Sequence, residues 1–216
     1  MTHSGAETTV YLLATRSHAK IREIGEIAAR SRLSLIGLDQ AGVLPSEEEE
    51  GVEILETFVG NAIAKASYFR SRTGLPAIAD DSGLCVDALD GEPGVRSRRF
   101  ASDGARRSLS ADDANNSLLL ERLRGIPADR RGARYVCAAA VAYPRGDTIV
   151  AIGSVVGRIG FEGHGQGGFG YDPLFELPGR GKTFAELDAT TKHRLSHRGS
   201  AFRALLAQLD PYGKQD

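Results

Sequence analysis

The sequence predicts a mixed α/β domain, and three observations carry that prediction. Short apolar runs alternate with amphipathic helical patterns over the first half of the chain. Two long β-rich segments face each other across a turn in the second half. No repeat or low-complexity linker divides the 216 residues, a length that suits one large domain or two lobes sharing a sheet. Residues 1–8 are polar and read as a disordered tail, so the expected domain runs over 9–212.

The first strand is the apolar run Val10-Tyr11-Leu12-Leu13-Ala14. Thr15-Arg16-Ser17 then opens a polar turn into a helix patterned on Ile21, Ile24, Ile27 and Ala28. A helix starting there aims free N–H groups and the positive dipole end at the turn, and Lys20 adds a cation. Leu33 to Leu38 reads as a second strand, and the acidic run Glu47-Glu48-Glu49-Glu50 as solvated surface. Thr57 is the expected N-cap of a helix with Phe58, Ala62, Ala66 and Phe69 on its apolar side, and Asn61 and Lys65 one turn apart. Next comes Ala79-Asp80-Asp81-Ser82-Gly83-Leu84, read as two carboxylates at a strand end, one for chemistry and one bracing a tight exit with Gly83 at positive φ. Leu84 to Leu89 continues as strand, and Asp90 to Gly94 is a turn cluster followed by Arg96, Arg98 and Arg99.

In the second half, Asp112 to Leu123 reads as a helix with Leu118, Leu119 and Leu123 on its core face, stopped by Gly125 and Pro127. Ala133 to Tyr143 and Thr148 to Ile159 form a hairpin about Pro144-Arg145-Gly146-Asp147. The loop from Gly163 to Pro173 matches a dinucleotide glycine spacing at Gly165, Gly167 and Gly170, but Asp172-Pro173 opposes the helix such a site needs. Gly181-Lys182-Thr183 ends like a phosphate-binding loop, yet Glu176 stands where its first glycine belongs. The glycine loop instead delivers the rings of Phe169 and Tyr171 for stacking on a base, with Asp172 as an acceptor. Ser196 is the expected N-cap of a last helix through Phe202, Leu205, Leu206 and Leu209 that ends near Pro211, with His197 and Arg198 in its first turn.

Composition narrows the function classes. With 41% hydrophobic and 25% charged residues and a net charge of −1, nothing marks binding to polymeric nucleic acid or to a membrane. Cys85 and Cys137 lie inside apolar runs, which suits reduced thiols of a cytoplasmic protein.

Together these stretches resemble the inosine triphosphate pyrophosphatase family, whose members hydrolyse dITP, ITP and XTP to the monophosphate and pyrophosphate. The likeness runs in order through Ala14-Thr15 with Lys20, Asn61-Ala62 with Lys65-Ala66, Ala79 to Leu84, Gly91 to Arg99, Gly167 to Pro173, Lys182-Thr183 with Glu186-Leu187, and Ser196-His197-Arg198-Gly199. The resemblance implies an elongated mixed β-sheet with flanking helices, two lobes around a nucleotide cleft, Mg²⁺ as cofactor, and a homodimer. It implies that Thr15, Arg16, Ser17, His18, Ala19 and Lys20 cradle the triphosphate, with Lys65 adding to the clamp. Glu53 and Asp81 would hold the metal, and Asp81 would accept a proton. Ser82, Phe169, Gly170, Tyr171, Asp172, Lys192, His197 and Arg198 would bind the substrate.

Three positions depart from the family pattern. Ser17 stands where Asn is usual, Glu53-Ile54-Leu55 where Glu-Thr-Gly is usual, and Arg96 where an aromatic is common. The second departure leaves Glu50 as an alternative metal ligand. A nucleotide-binding regulatory homologue without turnover, and a Maf-like pyrophosphatase preferring other nucleotides, are the other readings.

Overall fold

In the computed structural model, which describes residues 9–29, 31–101 and 110–209, seven strands form one sheet in the order β2-β1-β3-β4-β5-β6-β7. The expected tail over 1–8, the boundary at 212 and the stop at Pro211 lie outside the described residues. Strand β1 (Val10–Leu13) lies between β2 (Ser34–Gly37) and β3 (Ala77–Val86), parallel to both. The remaining strands run antiparallel: the hairpin β4 (Gly132–Ala142) and β5 (Thr148–Ile159), then the short β6 (Phe175–Leu177) and β7 (Lys182–Thr183). β4 and β5 fall within one residue of their expected bounds because apolar, β-branched runs flanked by a Pro-Gly turn leave little choice.

The helices follow from caps and apolar stripes. α1 (His18–Ala28) starts at Ser17, whose hydroxyl accepts from the Lys20 amide. α2 (Phe58–Thr73) starts at Thr57, which accepts from the Gly60 amide, and stops at Gly74 with a φ of 70°, a left-handed conformation suited to glycine. α3 (Ala111–Arg122) starts at Ser110. Two further helices close the chain, α4 (Ala189–Leu195) and α5 (His197–Leu209). α4, β6 and β7 are too short for a periodic signal in the sequence.

Three apolar clusters make the core. Leu12, Ala77, Ala79 and Ala140 pack under Ala62, Ala66 and Phe69 of α2. Leu13, Ile78, Ala139 and Val141 pack on the opposite face under Ile24 of α1 and Phe202 and Leu205 of α5. Leu84, Val86, Tyr135, Phe175 and Phe184 fill the far end with Leu119 and Leu123 of α3. α1 departs from its expected stripe: Ile21 is exposed and Glu23 is buried. The acidic run is also more than solvated surface. It forms a 3₁₀ turn over Glu47–Gly51, and Glu49 binds Arg16 in a two-point contact of 2.8 and 2.6 Å.

The main correction concerns Asp80 and Asp81. They do not end a strand; they sit in the middle of β3, paired with Ala139 and Ala138 of β4. What ends beside them is β1, which on its β3 side pairs with Ala77 and Ile78 and no further. Gly83 likewise is not a positive-φ residue. A Cβ there would lie 2.3 Å from the Gly94 carbonyl and 2.4 Å from the Ser97 hydroxyl, so it is close approach that requires glycine.

Candidate active site

The topology places a crevice before any side chain is considered. From β1 the chain reaches β2 through α1, packed on one face of the sheet, and then β3 through α2, packed on the other. Neighbouring strands thus receive helices on opposite sides, and ligands bind where such a reversal opens beyond the carboxyl end of a strand. Here that is the turn Ala14 to Ser17. Its floor is the edge of β3 that continues past β1, with the Ala14 amide donating to the Ile78 carbonyl at 2.7 Å.

α1 opens directly over this crevice. Its first amides, at His18 and Ala19, have no intrahelical acceptor, which favours an anion. Thr15 is buried and its hydroxyl accepts from the Ser17 amide at 3.2 Å, shaping the turn. The Arg16 side chain points away to Glu49 and the Val43 carbonyl, and His18 is exposed. Only Lys20 reaches inward, its ammonium 3.0 Å from Asp80.

Asp80 is almost fully enclosed. Besides Lys20, it accepts from the Arg198 Nε at 3.2 Å, and Arg198 also donates to Glu23 at 2.6 Å and to the Ser82 hydroxyl at 2.8 Å. Burial alone would raise the Asp80 carboxyl, but Lys20, Arg198 and Lys65 more than offset it and hold it far below the usual carboxylate range. Burial likewise pushes the Lys20 ammonium down in spite of Asp80. The other oxygen of Asp80, Oδ1, is buried without a partner.

Asp81, on the other face of β3, has a different environment. One oxygen accepts from the Asn61 side-chain amide at 2.9 Å and the other from the Ser82 amide at 2.9 Å. Burial pushes its carboxyl up, Glu53 adds to that, and Asn61, Lys20 and Lys65 oppose it without reversing it. Asn61 also grips the segment carrying Glu53, accepting from the Leu55 amide at 2.8 Å and donating to the Leu55 carbonyl at 3.1 Å. Glu53 is paired with Lys65, and its carbonyl accepts from Arg99 at 3.1 Å. Glu50 is exposed and outside this cluster.

The glycine loop forms the third wall. Phe169 is 38% exposed, with its ring 4.7 Å from the Lys192 ammonium and 5.5 Å from the Arg198 guanidinium carbon. Lys192 lies 2.5 Å from Asp172, which also accepts from the Phe169 amide at 2.8 Å. Burial keeps the Asp172 carboxyl above its usual value in spite of Lys192. Tyr171 is not on this wall. Its ring is buried and its hydroxyl donates to the Ser97 carbonyl at 2.8 Å, so the expected stacking surface reduces to Phe169. His197 lies flat on Tyr135 at 4.7 Å, and its Nδ1 is buried with no partner. Burial, reinforced by Arg198 and Lys192, holds its pKa well below 6.5, so the ring is neutral at neutral pH.

The structure therefore gathers Lys20, Lys65, Asp80, Asp81, Ser82, Glu53, Phe169, Asp172, Lys192, His197 and Arg198 around one crevice and turns the side chains of Arg16 and Tyr171 elsewhere. Sequence reasoning missed Glu23 and, although it singled out Asn61, gave that residue no role in the site. Both left a signal: each is a polar residue inside the apolar stripe of its helix, beside Ile24 and Ala62 respectively. Among the described residues no group of three or more His, Cys, Asp or Glu side chains forms a metal cage, and no helix is long and apolar enough to cross a membrane. The arrangement can hold a polyanion over Lys20, Lys65 and the α1 amides, with a carboxylate of raised pKa beside it and a ring platform at the other end.

The chain is similar to known proteins over most of its length. The profile of the Ham1 family matches residues 11–208. A dITP/XTP pyrophosphatase of Frankia alni is 48% identical over 200 residues, covering 92% of this chain and 96% of its own. One from Thermus thermophilus is 47% identical over 196 residues, covering 90% and 89%. Among solved structures, a HAM1 protein from Coxiella burnetii superposes with a TM-score of 0.80 at 35% identity, over 93% of this chain and 98% of its own. A nucleoside-triphosphatase / dITP/XTP pyrophosphatase from Mycobacterium abscessus gives a TM-score of 0.70 at 40% identity, over 93% and 99%.

Proposed function

The chain belongs to the Ham1 family, and from that premise we propose that it hydrolyses the non-standard purine nucleoside triphosphates dITP, ITP and XTP to the monophosphate and pyrophosphate. The observation that carries this reading is the pair of adjacent carboxylates of opposite character under the N-terminus of α1. In this reading the α1 amides, Lys20 and Lys65 bind the triphosphate and offset its charge. Water attacks the α-phosphorus, the bond to the bridging oxygen breaks, and pyrophosphate departs while Asp81 takes the proton from the water. Its raised pKa brings Asp81 closer to the range in which a base works at neutral pH. Phe169 stacks on the base, and the neutral His197 with the loop N–H groups reads its 6-oxo edge. Adenine would present an amino donor there and leave those groups unpaired, a mismatch that rejects analogues by about 10⁴ in favourable cases.

Mg²⁺ belongs to the same reading. Glu53 and Asp81 are close enough for one to raise the other, and two hard carboxylates completed by substrate phosphates suit that ion. They would hold it; when bound it would neutralise phosphate charge as a Lewis acid. Ser17 still caps α1, and Ile54, 71% exposed, leaves Glu53 paired with Lys65. We place the protein in the cytoplasm, as two lobes about the crevice and as a homodimer. The exposed apolar pair Ile152 and Val156 on the outer face of β5 supports a second copy covering that face.

Product analysis with ITP, dITP, XTP, GTP and ATP, with and without Mg²⁺, tests the proposal. Pyrophosphate from the first three, with GTP and ATP largely spared, is the expected result. Binding without turnover would instead select the regulatory reading, and preference for other nucleotides the Maf-like one.

A further inference from the structure

α3 makes contacts that the reaction described above does not use. Leu119 and Leu120 face the core, but its first two turns present Asp112, Asn115 and Asn116, and Asn115 and Asn116 serve loop backbones rather than each other. Asn115 accepts from the Ala101 amide at 2.8 Å and donates to the Ser97 and Arg98 carbonyls, both at 3.3 Å. Asp112 and Asn116, four apart and so on the same helix face, grip one residue of the glycine loop from both sides. The Asp112 carboxylate accepts from the Gly170 amide at 2.7 Å, and the Asn116 amide donates to the Gly170 carbonyl at 3.0 Å.

Gly170 is the residue after the ring platform, and it has a φ of 63°. The peptide before it carries the Phe169 carbonyl carbon, so holding both polar groups of Gly170 fixes where the Phe169 ring can go. On its other side Phe169 is held through its own amide by Asp172. The ring is thus suspended between two anchors, one on the loop itself and one on α3. Asn116 points its donor at Gly170 although its own Oδ1 is then buried without a partner. That arrangement keeps the loop contact at the expense of an unsatisfied acceptor.

We propose that Asp112 and Asn116 are positioning residues that set the Phe169 platform over Lys192 and Arg198, and so govern affinity for the base end of the nucleotide. The inference rests on the base-stacking part of the reading above. It does not involve the phosphate end, where neither residue has a contact.

Steady-state kinetics with ITP on Asp112→Ala and Asn116→Ala test it, with Asp112→Asn as the conservative variant that keeps an acceptor for the Gly170 amide. The inhibition constant of inorganic tripolyphosphate reports the phosphate end, and melting temperature reports the fold. Each alanine variant is expected to raise KM for ITP about fivefold with kcat little changed, the loss expected of about one hydrogen bond. Asp112→Asn should restore KM, and the tripolyphosphate constant should stay that of the wild type. Unchanged KM in both alanine variants, with KM raised by Phe169→Ala, overturns the positioning role alone. Unchanged KM in Phe169→Ala as well removes the base-stacking reading beneath it. A parallel rise in KM and in the tripolyphosphate constant, or a fall in melting temperature that tracks KM, makes the contacts merely structural and also overturns the proposal.

Discussion

On the α1 and α5 face of β3, Asp80 is enclosed with Lys20 and Arg198; one residue on, across the strand, Asp81 meets the uncharged amide of Asn61 and the repulsion of Glu53. The two residues are chemically identical and neighbours in sequence, and burial acts on both in the same direction. Their pKa values move apart because contact cations reach only one of them. Asp80 stays a charged strut that fixes Lys20 and Arg198, while the raised pKa of Asp81 is in keeping with the base role proposed for it. Two titratable groups pushed apart by their surroundings are what an acid–base site requires.

Swapping the carboxyls for amides one at a time breaks the comparison most directly. Asp81→Asn should lower turnover by about 10²–10⁴-fold with a stability loss of only about 1 kcal/mol, because the amide keeps one acceptor for the Asn61 and Ser82 donors and burial already disfavours the carboxylate's charge. Asp80→Asn should do the reverse of this in its leading effect: a stability loss of about 3–5 kcal/mol in urea titration at neutral pH, since Lys20 and Arg198 are left buried without their shared partner. If Asp81→Asn proves the destabilised variant and Asp80→Asn the merely inactive one, the assignment of roles is inverted.

A smaller effect sharpens the same contrast through pH. The folded pKa of Asp80 is depressed, so its contribution is present above the usual carboxylate range and is lost only in stronger acid. His197 is depressed as well, and as a base it has a different window. Above pH 6.5 it is neutral in both states, and below that value the unfolded chain takes up the proton first. Stability tied to His197 should therefore fall as pH drops below 6.5, by up to about 1.4 kcal/mol per pH unit. Denaturant midpoints of His197→Phe between pH 7 and 5 should show a flatter decline than the wild type; equal slopes would mean that His197 is charged in the folded protein.

Much of the frame was legible along the chain. The β4–β5 hairpin, the caps at Thr57 and Ser196, and the opening of α1 after a buried strand all follow from local rules, because each depends on residues within one turn or one strand. Ser196 behaves as expected, its hydroxyl accepting from the Gly199 amide at 2.9 Å. The Asp80-Asp81-Ser82-Gly83 stretch misled for an equally local reason. Asp, Ser and Gly disfavour strands and favour turns, whereas here β4 pairs through the whole stretch and the 3₁₀ turn over Gly94–Arg99 closes against Gly83. Tyr171 misled because a ring in a glycine loop reads as available, and nothing nearby in sequence announces that Ser97 takes its hydroxyl.

The sequence by itself determined that an anion-attracting helix start would follow the first strand, and that Asp80 and Asp81 would face opposite ways only if the strand ran on through them, which pairing with β4 decides. Only the tertiary structure decided which carboxyl would be held low and which pushed up. Arg198, which joins Lys20 in depressing Asp80, comes from 118 positions away, and Asn61, which holds Asp81, from 20 positions away on another element. A charge acts through distance in space, and that distance exists only once the sheet has brought α1, α2 and α5 to its two faces.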